Sequence, residues 1–134
     1  MSYALTATVD RPFDVVIDDV RAALSRQGFG IVSDIDMQET LRTKIGAEIG
    51  RQRILGACNP SLAHRALQAE PAVGLLLPCN VVVREHEGRV IVDMIDPETM
   101  AVLTANPAMQ AVADEAGTRL AAALDDVRAA DSPA

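Results

Sequence analysis

Asn80-Val81-Val82-Val83-Arg84-Glu85-His86-Glu87-Gly88-Arg89-Val90-Ile91-Val92-Asp93-Met94-Ile95 reads as two strands joined by a tight turn. β-Branched residues crowd both arms, where they fit a pleated surface, and Glu87-Gly88 is short enough and contains the glycine that a hairpin turn wants. Strands are therefore predicted at Asn80–Glu85 and Arg89–Ile95. Working toward the N-terminus, Ile54–Cys58 is a short apolar strand and Phe29–Ile35 another. Tyr3–Val9 alternates apolar and polar with period two, the pattern of a half-buried strand. Between strands the period changes. Phe13, Val16, Ile17, Val20 and Leu24 recur at helical spacing behind Pro12, and Gly28 is placed to cap that helix, 12–27, in the left-handed conformation.

Helix starts punctuate the rest. Asp36 with Glu39 has capping-box spacing and opens a short helix running to about Ile45. Asn59-Pro60, Asp96-Pro97 and Asn106-Pro107 each put a side-chain cap before a proline at the first helical turn. The helix after Asn59 is expected to bury Leu62, Ala63, Ala66 and Leu67. The last helix, 107–128, is expected to bury Met109, Val112, Ala113, Ala116, Leu120, Leu124 and Val127. Residues 73–77 are apolar and stop at Pro78. The order β-α-β-α-β-α-β-β-α-α makes an α+β fold: two layers, a mixed or antiparallel sheet with helices on one face. Residues 1–130 form one domain and 131–134 a disordered tail.

Composition bounds the function. The chain has 134 residues, enough for one hydrophobic core, with 49% apolar and 23% charged residues. Trp is absent and only Tyr3, Phe13 and Phe29 are aromatic. Net charge is −7, and the 12 Lys and Arg are scattered without a run of three. Nucleic acid and anionic membranes both require clustered positive charge, so neither is an expected partner. No segment approaches the ~18 apolar residues of a membrane span, and Met1–Thr6 lacks the basic and apolar regions of a secretory signal. A cytoplasmic location follows, where two cysteines are expected reduced.

Catalytic motifs are missing. Gly28-Phe29-Gly30 has a helix before it and a strand after it, the reverse of a dinucleotide fingerprint. The carboxylate pairs Asp18-Asp19, Asp34 with Asp36, Asp93 with Asp96, and Asp125-Asp126 fall on solvent faces or at caps. His86 sits at the hairpin tip between glutamates. His64 falls on the polar side of its helix, as an exposed residue or as a contact to a ligand or to the cysteine region. No metal ligand set is visible, and no cofactor is expected.

Two near-repeated phrases stand out: Gly56-Ala57-Cys58-Asn59-Pro60 and Leu77-Pro78-Cys79-Asn80. Each cysteine stands at a strand end beside Asn, and Cys58 precedes a helix N-terminus, where thiolates are favoured. Antiparallel strands would make the two sulfurs neighbours on one side of the sheet. The bland reading is two free, buried thiols acting as small hydrophobes, with Asn59 and Asn80 satisfying nearby backbone. The sharper one is a thiol redox pair or a soft-metal site.

These phrases carry a resemblance. Arg53–Pro60, Leu62-Ala63-His64, Ala66-Leu67, Gly74–Val83 and Asp96-Pro97 resemble the bacterial and archaeal domain-of-unknown-function family 302, over roughly Val9 to Leu124. The resemblance implies a small α+β domain of TBP-like type, often a homodimer, with no assigned activity. It implies a basic residue on the second helix, here Lys44, and commonly an aromatic where this chain has Gln52. Not every relative keeps both cysteines. The combined expectation is a non-catalytic homodimer that binds a small ligand or a partner protein. The alternative is a thiol redox or soft-metal protein, and a third is an enzyme using Lys44 with nearby carboxylates. Candidate site residues are Cys58, Asn59, His64, Cys79, Asn80 and Lys44.

Overall fold

The computed structural model describes residues 2–131. The hairpin forms as expected, β4 (Cys79–His86) and β5 (Arg89–Ile95), with His86 opposite Arg89. Glu87 and Gly88 both have positive φ, 51° and 77°, the twist-matched geometry of a two-residue hairpin turn. Around it lie β1 (Ala4–Val9), β2 (Gly30–Asp36) and β3 (Gln52–Cys58) in the order β1-β5-β4-β3-β2. Every pairing is antiparallel, so of the two sheet types expected it is the antiparallel one that forms.

Two long helices cover one face, α1 (Phe13–Arg26) and α5 (Met109–Ala129). Val16, Val20 and Leu24 of α1 and Leu120, Leu124 and Val127 of α5 join Ala7, Val9, Leu55, Val81, Val83, Val90, Val92 and Met94 in one cluster. Those strand residues share a face by register: Leu55 pairs with Val81, Val81 with Met94, and Met94 with Leu5. The turn closing α1 follows the glycine signal. Gly28 adopts φ 83°, its N–H donates to the Ser25 carbonyl, and Phe29 N–H donates to Leu24. That pair of bonds is the Schellman arrangement, which glycine enters without a Cβ penalty.

The remaining helices are α2 (Met37–Ile45), α3 (Pro60–Ala69) and α4 (Glu98–Thr104), with a 3-10 helix at Pro71–Leu76 where the sequence showed only apolar residues. Two of the four expected caps close their helices directly; Asp96 and Asn106 stand one and two residues farther out, before α4 and α5, and hold the lead-in turns. Asp36 accepts from Glu39 N–H and Asn59 from Leu62 N–H. Asp96 accepts from Glu98 N–H and Asn106 from Ala108 N–H, each reaching past its proline. A second cluster of Leu62, Ala66, Val73, Met100, Met109, Val112 and Ala116 joins α3, α4 and the start of α5 at one end of the molecule. Two residues of α3 depart from expectation: Ala63 is half-buried and Leu67 is 41% exposed, so that Leu62 and Ala66 are the buried positions of the helix.

The tail is tied at its start. Asp131, assigned to it by sequence, accepts from Asp10 N–H at 2.9 Å and pairs with Arg11. The rest of that segment, 132–134, lies outside the described residues. No described helix is long and apolar enough to cross a membrane.

Candidate functional site

β3 ends at Cys58 because Asn59 leaves the sheet to cap α3, and β4 begins at Cys79 because Pro78 has no N–H to pair. Ala57 and Cys79 are register partners, so Cys58 is one residue from the position facing Cys79. Here the two hydrophobic clusters fail to close on each other. Between them lies a cavity of about 320 Å³. Phe29, Ala57 and Cys79 of the sheet cluster form one wall, and Leu62, Ala66, Met100, Val112 and Ala116 of the second form another. Val32 and Leu67, 64% and 41% exposed, stand at its rim. Of the fifteen lining residues none is charged, and Asn59 is the sole amide.

The cavity gathers part of the predicted set. Cys58, Asn59 and Cys79 line it; His64, Asn80 and Lys44 do not. His64 is exposed on the outer side of α3. Asn80 faces a separate, smaller depression with Leu75, Ile95 and Thr99, and its amide makes no hydrogen bond among the described residues, so the backbone role expected for it is not filled. Asn59 does fill that role, at 3.2 Å from Leu62 N. Lys44 lies in the last turn of α2, beside Asp34, Asp36 and Glu39. Gln52 lies opposite Arg84 and away from the cavity.

Both cysteines are free; Cys79 is 7% exposed and Cys58 half-buried. Burial, and then the negative charge Cys58 would carry, push the Cys79 thiol up to about 11. Cys79 is therefore neutral near pH 7. Several carboxylates elsewhere are engaged with arginines. Asp34 pairs with Arg53 and Arg21, and the Arg53 guanidinium holds its carboxyl below the usual range. Asp93 accepts from Thr6 and Arg84. Among the described residues no three of His, Cys, Asp and Glu are grouped to hold a metal.

Sequence reasoning did not find most of the cavity wall. Phe29, Leu77, Met100, Val112 and Ala116 look like ordinary core positions. One signal was available in Gly56, an isolated glycine inside a strand, which marks a close approach of another chain segment. A Cβ there would meet Ser33 Oγ at 2.1 Å and Pro78 Cγ at 2.7 Å. The bare glycine thus lets Pro78 pack against β3 and sets where β4 begins.

The family model described as "Domain of unknown function DUF302" matches residues 5–127. The crystal structure of an uncharacterized conserved protein DUF302 from Bacillus stearothermophilus is similar, with a TM-score of 0.90 at 30% identity. That similarity covers 96% of this chain and 100% of the other. No curated protein matches.

Proposed function

The chain belongs to the DUF302 family, a domain of unknown function, and on that premise we propose that it is a non-catalytic module, a homodimer in which each cavity takes a small apolar ligand. The observation that carries this reading is the cavity itself. Its volume falls in the range of small-molecule pockets, and its lining combines aliphatic walls with one amide, the composition of sites that select shape before charge. An apolar space of this kind holds water poorly, so an apolar guest gains by entering it. Asn59 Oδ1 is already engaged with Leu62 N–H. That leaves its Nδ2 group as the donor that would orient an oxygen on the guest.

The test uses 1-octanol as probe, followed by thermal unfolding. A saturable rise in Tm is expected in the native chain and none in Ala116→Leu, whose larger side chain occupies the cavity. No rise in the native chain, or an equal rise in the filled variant, would refute the reading.

Assembly is supported by the sheet's other face. Ile35, Ile54 and Val82 form one row across β2, β3 and β4 on the side away from α1 and α5. Beside them Arg84 and Asp93 neutralise each other. A chain of net charge −7 associates with itself most easily through a face that is not acidic. Light scattering should give twice 14.2 kDa, and Val82→Lys should return the monomer; a native species of 14.2 kDa would contradict the dimer. A thiol redox pair is the weaker reading, since Cys79 is held as a thiol rather than a nucleophilic thiolate. Lys44 as a catalytic base has no support from the cavity, which it does not line.

A further inference from the structure

Strand β2 closes the sheet on one side, and no residue in it is fully buried. Beyond its ladder with β3, the backbone of residues 31–35 makes no hydrogen bond among the described residues. That ladder slips by one residue between Ile31 and Ser33, which leaves Val32 as the unpaired residue of a β-bulge. A bulge re-aims the side chain it carries, and the exposed Val32 stands at the rim of the cavity, as does Leu67 of α3. A free edge of main-chain donors and acceptors therefore runs beside an apolar hole. We propose that the two together form a docking site for an extended segment of another protein, which pairs its backbone with β2 and places one aliphatic side chain between Val32 and Leu67 into the cavity.

Each feature selects that occupant on its own grounds. Unpaired N–H and C=O groups along an edge are matched by another extended backbone. Strand addition draws affinity from those bonds and specificity from pockets that take alternate side chains. The cavity lining carries no charged residue, so the side chain that enters is aliphatic. Past the bulge β2 turns acidic, with Asp34 and Asp36 and no Lys or Arg of its own. Arg21 and Arg53 hold Asp34, while Asp36 has no ion-pair partner among the described residues. Two copies of β2 laid edge to edge would set these carboxylates against their own kind, which disfavours a second copy of this chain. A chain of net charge −7 draws a cationic segment instead. Side chains two apart share one face of a strand, so the segment carries a basic residue two positions from the aliphatic one. The inference rests on the reading of the cavity as a space that admits an apolar guest, and it names that guest as a side chain.

The probe is an acetylated, amidated heptapeptide, Thr-Lys-Thr-Leu-Thr-Lys-Thr, titrated into the full-length chain and followed by NMR. Saturable binding is expected, with hydrogen exchange slowed at β2 amides. Replacing the leucine by alanine should weaken binding roughly tenfold, for the buried carbons lost, and Ala116→Leu in the protein should weaken it as well. N-methylating one alternate set of peptide amides should abolish binding and N-methylating the other set should spare it, because an added strand pairs along one edge. The peptide variants leave the protein untouched, so a misfolded chain cannot imitate the result. No saturable binding, equal affinity for the alanine peptide, or equal effects of the two methylated sets would overturn the proposal. So would self-association that protects the β2 amides without peptide, which would make the occupant a second copy. A Tm rise with 1-octanol beside no peptide binding overturns this inference alone. Leucine-dependent peptide binding without an octanol response keeps the docking site and refutes the small-molecule reading.

Discussion

At Gly56 the absence of one carbon decides how two strands meet. Ser33 Oγ and Pro78 Cγ stand where a Cβ would go, and Pro78 cannot rotate aside. Gly56→Ala is therefore expected to cost about 1–3 kcal/mol as an overpacked site, read from the urea midpoint. Gly30→Ala, in space that is open within 4 Å, should cost much less. Equal losses would contradict the role given to the close approach. At Cys79 the physics is electrostatic. Its folded pKa of about 11 exceeds the ordinary 9.0, so the neutral thiol's contribution is complete below about pH 9 and is lost as pH rises toward 11. Near pH 8, Cys79→Ala should cost about 1 kcal/mol for lost packing. Between pH 9 and 11 the native chain should shed up to about 3 kcal/mol that the variant keeps. Parallel stability curves for the two proteins across that range would show that Cys79 is not held neutral.

Among the elements, caps and turns were the most legible. Asp36, Asn59, Asp96 and Asn106 announce helices because a side-chain oxygen and a proline leave few other conformations for the next residues. Period and turn chemistry gave the strands for the same reason, and the hairpin almost to the residue. Antiparallel pairing throughout, the 3-10 turn at 71–76 and the outward Leu67 were not legible, since each depends on partners far along the chain. Of the site, the cysteines and Asn59 were visible through their repeated phrase. Asn80 and His64 shared the phrase's neighbourhood without sharing its geometry. The same two helices offer a contrast. α3 buries Leu62 and Ala66, whereas α2 buries nothing fully. Asn59→Ala is expected to lower global stability by about 1 kcal/mol. Asp36→Ala should hardly move the unfolding midpoint and should instead speed hydrogen exchange within α2, which opens locally. Similar midpoint shifts for both would mean that α2 is coupled to the core.

The whole molecule is held together along α5. Its first turns carry Met109, Val112 and Ala116 into the second cluster, and its last turns carry Leu120, Leu124 and Val127 into the sheet cluster. A helix of this length reaches about 30 Å, so one rigid rod links both ends. The cavity lies where the two clusters part, bounded by segments from residue 29 to residue 116. No local stretch of sequence encodes it, because it is what distant side chains leave unfilled. That empty space has a consequence under compression. Its apolar walls are poorly wetted in the folded chain and fully hydrated on unfolding, so the unfolded state takes up less volume and hydrostatic pressure favours it. The native protein is expected to unfold at a lower pressure than Ala116→Leu, and saturation with 1-octanol should raise its midpoint toward that of the variant, followed by high-pressure fluorescence of Tyr3 or by NMR. Identical midpoints in all three would mean that the space between the clusters closes in solution. If the midpoints separate, squeezing the protein becomes a direct gauge of how full it is.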